Sequence, residues 1–567
     1  MLNYYTPELK VGAYDLCIIG AGPVGIALAI ACEELGLSAL LLESGYQKLD
    51  TFAQSLTTGH KVDPERHQSP EVSICRGLGG TSRWWGGRCV PFDEIDFQSR
   101  RCAPEGLWPF SYDEAAKWHP WAAKFFQIGS AEFSAAVAPW TKLSGARFEA
   151  LERWTPETNC AKIYQERLIN SERISVLLGA TVTAIEFSDD KKLVKSLTVK
   201  SPSGSSKLAQ PQVALTCGGL ETTRLLLAAQ QESPDAFGGK TGALGRNYVG
   251  HLSGKIADLI FTDPNSVSLH DFFLSNGAFA RRRFTLPPSV QANDNVLNIA
   301  FWADNPPFHA AEHRSAALSL VWLALATPGV GRRLLSEGIL RSHLGPLPYR
   351  RTEHLVNVLK SPISAFQDIL RIIRARFLSS PRRPGFLIHN PSGRYALLYQ
   401  SEQTPHEGSR VTLSNSSDAL GLPFLNVELQ YKQEDAESVV RAHKLLDASL
   451  RESGLGRLEF YDADDEERAA RVLRQAADGF HQIGTTRIGT DPSKSVVNSD
   501  CQVHGIENLY VVSSSVFPSS SQANPTYLSV ALAVRLANHI KSAVLKRTAA
   551  PTTADISARV GDDADDE

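Results

Sequence analysis

The sequence lacks several features that would assign it to a special class of protein. Its eight cysteines include no CxxC pair and no spacing that suits a metal site. No basic region followed by an apolar one opens the chain, and no apolar run reaches bilayer-spanning length. The net charge of −3 gives no general affinity for nucleic acid or anionic membrane. We therefore expect a cytoplasmic globular protein with reduced thiols, no metal centre and no nucleic-acid partner.

The length of the chain predicts more than one domain. With 567 residues the chain exceeds what a single hydrophobic core usually holds, and its 43% hydrophobic residues are typical of globular proteins. No internal repeat is visible in the sequence. Residues 546–567 are rich in small and acidic residues, so we expect a disordered acidic tail there.

Residues 14–45 hold the first motif with chemical meaning, YDLCIIGAGPVGIALAIACEELGLSALLLESG. A short apolar run predicts a buried parallel strand, a helical pattern follows, and a second apolar run predicts another strand. Gly20, Gly22 and Gly25 stand between the first strand and the helix in G-x-G-x-x-G spacing. Glu43 ends the second strand.

This arrangement predicts a dinucleotide site. Gly20 permits a tight turn, Gly22 lets the backbone approach a pyrophosphate, and Gly25 lets helix and strand pack closely. The helix N-terminus offers N–H groups and positive potential to phosphates, and Glu43 would accept hydrogen bonds from ribose hydroxyls. An ordinary strand–helix–strand turn is the alternative, but the full set of strand, helix, strand and acid favours a nucleotide.

Two further glycine-rich stretches are candidates for the same site. Residues 76–97, RGLGGTSRWWGGRCVPFDEIDF, can lay backbone amides along a flat ring or a phosphate; the alternative is a loop whose tryptophans are core. Residues 213–227, VALTCGGLETTRLLL, predict another strand, turn and helix of a parallel sheet. The first motif alone does not decide between NAD and FAD.

Four segments in order along the chain resemble the glucose–methanol–choline (GMC) family of flavoprotein oxidoreductases. They are IIGAGPVGIALA with LLLESG, then GLGGTSRWWGG, then ALTCGGLETTRLLLAA with ALGRNYVGH, and finally the stretch from HQIGTTRIGTDPSKSVVNSDCQVHG to SSQANPTYLSVALAVRLANHI. Residues 402–423 also match the middle of the family. GTTRIG and ANPT are similar to the branch that includes pyranose oxidase and related sugar and glycoside oxidoreductases.

The resemblance implies an α/β fold with two discontinuous domains. A Rossmann-like FAD-binding domain would come from residues 1–130, 205–255 and 478–545. A substrate-binding domain built on an antiparallel sheet would come from residues 131–204 and 256–477. The implied cofactor is FAD. Pyranose oxidase attaches its flavin through a histidine, and Trp84 occupies the matching position here, so we expect non-covalent FAD.

The resemblance also assigns two polar residues to catalysis, His481 before the GTT turn and Asn524 before the last helix. A neutral imidazole suits removal of a hydroxyl proton as hydride leaves the carbon for flavin N5. The amide of Asn524 cannot titrate and would orient the substrate oxygen by hydrogen bonding. From the residues alone, a histidine satisfied within its own loop is the preferred interpretation of His481.

Residue-by-residue matching to the family implies a larger set of FAD contacts. They are Gly20, Gly22, Pro23, Val24, Gly25, Glu43, Ser44, Gly79, Gly80, Thr81, Ser82, Trp84, Trp85, Val182, Cys217, Gly218, Ser513, Ser514, Pro525 and Thr526. Ser513 stands where the family often has an acid, so the sequence departs from the family's pattern at one contact on the phosphate side. The N-terminus of the last helix would stabilise negative charge on the reduced flavin.

Residues 331–385 form a basic insertion, with eleven Arg or Lys residues against three acids. Within it, SAFQDILRIIRARFL predicts an amphipathic basic helix. Such a helix fits peripheral membrane or protein docking, a lid over the active site, or a solvated helical insertion. The sequence leaves these alternatives open.

The function that the resemblance implies is FAD-dependent oxidation of a CH–OH group on a sugar, glycoside or polyol. The electron acceptor would be O2 or a redox carrier. Two alternatives stay open: a GMC-type lyase that cleaves cyanohydrins without redox turnover of FAD, and a non-catalytic flavin-binding partner protein. A binding module needs neither His481 nor Asn524, which weighs against the last. The sequence does not indicate the oligomeric state.

Overall fold

The computed structural model describes residues 2–327, 329–331, 344–345, 347–374 and 378–549. Much of the basic insertion 331–385 is therefore described, apart from 332–343, 346 and 375–377. The predicted acidic tail lies outside the described residues from 550 onward. Residues 546–549 of that tail are helical, because the last helix continues to Ala549; the prediction of disorder was wrong for these four residues.

Twenty-one strands, numbered in chain order, are assigned within the described residues. They are β1 Leu2–Tyr4, β2 Leu16–Ile19, β3 Ala39–Glu43, β4 Lys61–Val62, β5 Arg88–Cys89, β6 Arg147–Trp154, β7 Ile174–Leu178, β8 Thr181–Phe187, β9 Val194–Ser201, β10 Gly204–Leu208, β11 Val213–Leu215, β12 His251–Gly254, β13 Ala257–Phe261, β14 Phe273–Ser275, β15 Ala278–Thr285, β16 Ile299–Asp304, β17 Arg394–Glu402, β18 Arg410–Ser417, β19 Pro423–Glu428, β20 Gly456–Phe460 and β21 Leu509–Val511.

The α-helices of the described residues are numbered in the same way. They are α1 Pro23–Glu34, α2 Thr51–Ser55, α3 Pro70–Ser73, α4 Tyr112–Ala116, α5 His119–Phe125, α6 Cys160–Ile163, α7 Gln165–Asn170, α8 Gly219–Glu232, α9 Val267–His270, α10 Pro288–Asn293, α11 Ala316–Leu325, α12 Arg351–Lys360, α13 Pro362–Ile373, α14 Gln433–Ser453, α15 Asp465–Gln475 and α16 Thr526–Ala549.

A six-stranded parallel sheet forms the first half of the molecule, in the order β1-β7-β3-β2-β11-β21. Every residue of β2, β3 and β11 is buried, as expected for strands covered on both faces. Helix α1 is apolar around its whole circumference because it lies between this sheet and α16. The predicted strand–helix–strand unit at residues 14–45 is therefore present.

A nine-stranded antiparallel sheet forms the second half. Its path runs β20-β13-β17-β16-β15-β6-β5, with β12 paired to β17 and β14 to β15. One face packs against α14 and α15 in a separate hydrophobic core that includes Leu252, Phe301 and Tyr399. The predicted α/β fold, with an antiparallel sheet in the second half, is confirmed.

Several segments join a different half from the one predicted. Strand β7 lies within 131–204, assigned to the substrate domain, yet it pairs with β1 and β3 in the parallel sheet. Strand β5 lies within 1–130, assigned to the FAD domain, yet it pairs with β6 in the antiparallel sheet. Backbone pairing between distant segments decides these positions, and chain order does not reveal it.

Helix α13 has the predicted amphipathic character. Ala365 is buried, whereas Ile363, Phe366 and Leu370 are exposed and follow one stripe of the helix. This apolar stripe leaves the predicted docking role open.

Helix α16 corrects the expectation that no apolar stretch could span a bilayer. Among the described residues, the segment Thr526–Leu545 of this helix is long and apolar enough to cross a membrane, judged by length and composition alone. About 56% of the window is buried, and α16 packs against α1 and α5, as a core helix does.

Candidate active site

A cavity of about 510 Å³ lies at the carboxyl ends of β2, β3 and β11, and we call it the cofactor cavity. The predicted residues that line it are Gly20, Gly22, Pro23, Val24, Glu43, Ser44, Gly80, Thr81, Ser82, Trp84, Trp85, Val182, Cys217, Gly218, His481, Ser513, Ser514, Asn524, Pro525 and Thr526. Segments that are about 500 residues apart in sequence thus line one cavity. Parallel sheets usually bind their ligands at this place, beyond the carboxyl ends of the strands.

Gly25 and Gly79 are the predicted residues that do not line the cavity. A Cβ at Gly25 would lie 1.9 Å from the carbonyl oxygen of Gly20 and 2.7 Å from Thr216 Oγ1. Gly79 has φ +100° and donates its N–H to the carbonyl of Ala21 at 2.8 Å. Both residues hold the backbone of the cavity wall in place without facing the cavity, so their predicted role in cofactor binding is indirect.

The region around Gly22 has the form of a pyrophosphate cradle. A Cβ at Gly22 would meet no atom within 4 Å, so the backbone there faces open space. Helix α1 begins at Pro23, and no side chain caps its N-terminus, which leaves backbone N–H groups and positive potential directed at that space. Gly20, at φ +102°, makes the turn that brings them there. These features fit the diphosphate of FAD.

Glu43 closes the strand end beside this cradle. Its carboxylate accepts hydrogen bonds from the backbone N–H groups of Ala21 at 2.9 Å and Gly45 at 2.8 Å. Each carboxylate oxygen has a second acceptor position, so the predicted hydrogen bonds from ribose hydroxyls stay compatible with this arrangement. The neighbouring Ser44 accepts a hydrogen bond from Arg76 at 2.8 Å.

His481 belongs to a compact cluster with Asp478 and His251. Its Nδ1 lies 3.0 Å from Asp478 Oδ2 and 3.0 Å from His251 Nδ1. The second carboxylate oxygen of Asp478 accepts the backbone N–H groups of residues 479, 480 and 481, which fixes the loop. His251 comes from β12 and donates its backbone N–H to Asp478 Oδ2 at 2.9 Å, which ties this loop to the antiparallel sheet.

The hydrogen bonds assign the tautomers of both rings. His251 Nε2 lies 3.2 Å from the carbonyl oxygen of Ser520, so this nitrogen carries the proton and His251 Nδ1 is an acceptor when the ring is neutral. His481 Nδ1 must then carry a proton, which it shares between His251 and Asp478. His481 Nε2 is left as the basic nitrogen, and it has no hydrogen-bond partner among the described residues.

Electrostatics favour this arrangement of charge. Burial lowers the pKa of His251, and its neighbours His481 and Arg88 also act to lower it, against the opposing effect of Asp478. Burial raises the pKa of Asp478, but the two histidines outweigh it and hold that pKa well below its usual range. Asp478 is thus a carboxylate beside a neutral His251. The three side chains are also close enough to bind a metal ion, but their mutual hydrogen bonds account for the spacing without one.

Asn524 approaches the cavity from the opposite loop. Its Oδ1 accepts a hydrogen bond from Gln400 Nε2 at 3.4 Å, and the same Gln400 nitrogen donates to the backbone carbonyl of Gln522 at 2.8 Å. Gln400 therefore directs the carbonyl side of the Asn524 amide toward the sheet. The NH₂ side is then available as a donor in the cavity.

Sequence reasoning missed several residues of this site. Asp478 and His251 lie 227 positions apart, and Gln400 lies in a strand whose inward face could not be identified. Arg76 and Glu221 also line the cavity, next to Ser44. Asp478 alone had a local signal, because an acid three residues before a candidate base can accept the N–H groups of the intervening turn.

Comparison with known proteins identifies the same family over part of the chain. A family model described as GMC oxidoreductase matches residues 405–533. The C-glycoside 3-oxidase of Arthrobacter globiformis is 34% identical over 142 residues, which are 24% of this chain and 25% of that protein. The aligned part thus spans about a quarter of that relative's length.

Two further likenesses extend over nearly the whole chain. The fructose dehydrogenase large subunit of Gluconobacter japonicus is 20% identical over 93% of this chain and 97% of that protein. The crystal structure of pyridoxine 4-oxidase from Mesorbium loti superimposes with a TM-score of 0.53 at 18% identity, covering 93% of this chain and 99% of that one, and so shares the fold.

GMC oxidoreductases bind FAD, so the predicted cofactor is confirmed at the level of the family. Non-covalent attachment stays a prediction, as does the role of each individual FAD contact. Residues 405–533 thus match the GMC oxidoreductase model, and the chain as a whole shares its fold with an oxidase of known structure.

Proposed function

We propose that this protein oxidises a CH–OH group to a carbonyl, on a sugar, glycoside or polyol, with non-covalent FAD. The match of residues 405–533 to the GMC oxidoreductase model supports alcohol oxidation in general. A relative named as a C-glycoside 3-oxidase supports the carbohydrate class of substrate. The electron acceptor would be O2 or a redox carrier, and a cytoplasmic location stays part of the proposal.

One observation carries this proposal: a histidine held in a single tautomer lines the same cavity as the pyrophosphate cradle. His481 Nδ1 is occupied by Asp478 and His251, so the lone pair of Nε2 is available on the other side of the ring. Asn524 lines the same cavity. A base and a hydrogen-bond donor beside one flat cofactor are the minimum that alcohol oxidation requires.

Each residue has a distinct role in the proposed reaction. FAD, when bound, supplies the hydride acceptor. His481 Nε2 takes the proton of the substrate hydroxyl, and the resulting positive charge lies beside the carboxylate of Asp478. Asn524 donates a hydrogen bond to the substrate oxygen as it gains negative character, and Gln400 keeps the amide in the required orientation. His251 limits the rotation of the His481 ring.

Anaerobic visible spectroscopy of the FAD-loaded protein tests the reaction class. We expect the flavin to bleach when a substrate from a panel of sugars, glycosides, polyols and simple alcohols is added. The rate at which colour returns in air then separates an oxidase from a dehydrogenase. A flavin that no member of the panel reduces, in a protein that cleaves a cyanohydrin, would move the assignment to a lyase.

Substitution of the proposed base tests the mechanism. We expect His481→Ala to slow flavin reduction by about 10²- to 10⁴-fold while FAD stays bound, because the hydroxyl proton loses its acceptor. His389 is exposed and lies outside the cavity, so His389→Ala is the matched control. Unchanged reduction in His481→Ala would contradict the mechanism.

A further inference from the structure

The antiparallel sheet turns an arginine-rich face toward the loops that carry His481 and Asn524. Paired residues on neighbouring antiparallel strands share a face, and Arg281 of β15 pairs with Glu152 of β6. Arg283 lies two residues further along β15 and therefore points the same way. Its Nη1 donates to Gln522 Oε1 at 2.6 Å, two residues before Asn524.

Arg88 joins this face from β5. It pairs with Trp154, which lies two residues beyond Glu152 on β6. Its guanidinium lies 4.7 Å from the centre of the Trp302 ring. Gly86, two residues earlier, lines the cofactor cavity, and the charge of Arg88 is among the groups that lower the pKa of His251. Arg88 therefore lies close to His251, whose ring contacts the proposed base His481.

Positive charge on this face exceeds the negative charge that could balance it. Arg281 Nη2 lies 2.6 Å from Glu152 Oε1, and Arg88 Nε lies 3.4 Å from Glu152 Oε2, so two guanidinium groups share one fully buried carboxylate. Arg283 reaches a carboxylate only at 4.0 Å, at Asp93. A buried cation without its own counter-ion is costly, which indicates that a further anion belongs here.

Hydrogen-bond donors on the same face also lack acceptors. Arg88 Nη2, Arg283 Nε and Trp302 Nε1 are buried without a hydrogen-bond partner among the described residues. Arg88 Nε also lacks one, but it lies 3.4 Å from Glu152 Oε2, a buried acceptor that is itself without a hydrogen bond. Leaving a buried donor unpaired costs free energy, and more of it for a charged group. Arg88 is the most exposed of the three arginines, with 16% of its side chain accessible, against 12% for Arg281 and 2% for Arg283.

We propose that Arg88, supported by Trp302, binds a carboxylate of the substrate, so that the preferred substrates are hydroxy acids of the sugar-acid class. The planar guanidinium matches a carboxylate with two parallel hydrogen bonds. The acid group would lie at the sheet, and a CH–OH group of the same molecule would meet His481 and Asn524. This inference rests on the proposed alcohol oxidation and adds the charge of its substrate.

Matched pairs of substrates test the proposal on the FAD-loaded protein. Gluconate and sorbitol differ at one carbon, which is a carboxylate in the first and an alcohol in the second; glucuronate and glucose form a similar pair. We expect the acid of at least one pair to reduce the flavin with a kcat/KM tenfold or more above that of its neutral partner. Arg88→Gln should remove this advantage, with a loss of about 10- to 100-fold that appears mainly in KM.

Two further variants control for the loss of positive charge and for misfolding. Arg282→Gln removes a positive charge from the same strand, but Arg282 donates to the carbonyl of Ala135 and lies over Phe273, so the preference for acids should persist. Arg88→Lys keeps the charge and loses the planar fork, so we expect an intermediate loss even where Arg88→Gln does not fold.

The outcomes separate this inference from the proposed function. Equal kcat/KM for acid and neutral partners, unchanged in the Arg88 variants, would overturn the carboxylate site and leave alcohol oxidation standing. If no compound reduces the flavin, alcohol oxidation fails, and binding alone decides the carboxylate site. Gluconate should then raise the Tm of the FAD-bound protein more than sorbitol does, only when Arg88 is present; no such difference would overturn the site.

Discussion

The two sides of the active site present different chemical groups: backbone on the cofactor side and polar side chains on the side of the antiparallel sheet. The cofactor side presents backbone, at Gly20, Gly22 and Gly80, and the N-terminus of α1. The sheet side presents long polar side chains, among them Arg88, Gln400 and His251, on strands that pair antiparallel. Between them lies the loop of His481, which Asp478 ties to the sheet.

The two sides should therefore differ in how they respond to substitution. A backbone cradle fits a diphosphate only while glycine occupies its contact points, because almost any Cβ there collides with backbone or fills the space of the ligand. A sheet face can exchange one side chain for another without moving its strands, because side chains stand away from the hydrogen-bonded backbone. We therefore expect changes on the cofactor side to affect folding and FAD content, and changes on the sheet side to affect substrate choice.

The largest effect is expected at Gly25. Gly25→Val should prevent accumulation of folded, FAD-containing protein, because its Cβ would lie 1.9 Å from the Gly20 carbonyl oxygen. The measurement is the ratio of flavin to protein absorbance after purification, together with the Tm. Gly12→Ala is the control, since a Cβ at Gly12 meets no atom within 4 Å.

Gly22→Ala separates loss of FAD binding from loss of folding on the cofactor side. Its Cβ meets no protein atom within 4 Å, so the fold should persist while FAD is lost. A Gly22→Ala protein that folds and retains its full flavin content would contradict the placement of the pyrophosphate.

A smaller but selective effect is expected at Asp478, which links the two sides. Asp478→Asn should lower the rate of flavin reduction by about 10²-fold or more with FAD still bound, because an amide cannot fix the His481 tautomer as a carboxylate does. Stopped-flow reduction gives the rate. Asp462→Asn, which removes a surface ion pair with Arg471, should stay within about twofold of wild type. An equal loss in both variants would argue against a positioning role.

The smallest effect concerns stability in acid, on the far face of the antiparallel sheet. His443 is fully buried there, and burial lowers its pKa to about 4, from an ordinary value near 6.5. As the pH falls, His443 is protonated in the unfolded chain before it is protonated in the folded protein. The free energy of unfolding is therefore unaffected by this group above about pH 6.5 and decreases as the pH drops toward 4. The shift corresponds to about 3 kcal/mol at the acid limit.

Replacement of this histidine should flatten the pH dependence. We expect His443→Leu to show a weaker decline of Tm between pH 6.5 and 4 than wild type, whereas His389→Leu, at an exposed site, keeps the full decline. Parallel curves for wild type and His443→Leu would show that other groups control acid unfolding.

Local pattern in the sequence determined the cofactor side of this protein. The strand, glycine turn, helix and acid of residues 14–45 lie within one short segment, and each residue's role depends on backbone conformation that the segment itself favours. His481 and Asn524 were found by resemblance, since each lies in a loop whose composition alone indicates no chemistry.

Only the tertiary structure decided the sheet side. The face on which Arg88, Arg281 and Trp302 lie depends on strand register, and a slip of one residue would reverse it. Register is set by pairing between strands such as β5 and β6, which are about 60 residues apart, and β12 and β17, about 150 residues apart. The contact of His251 with His481 depends on the same pairing, because β12 places one ring beside the loop that holds the other.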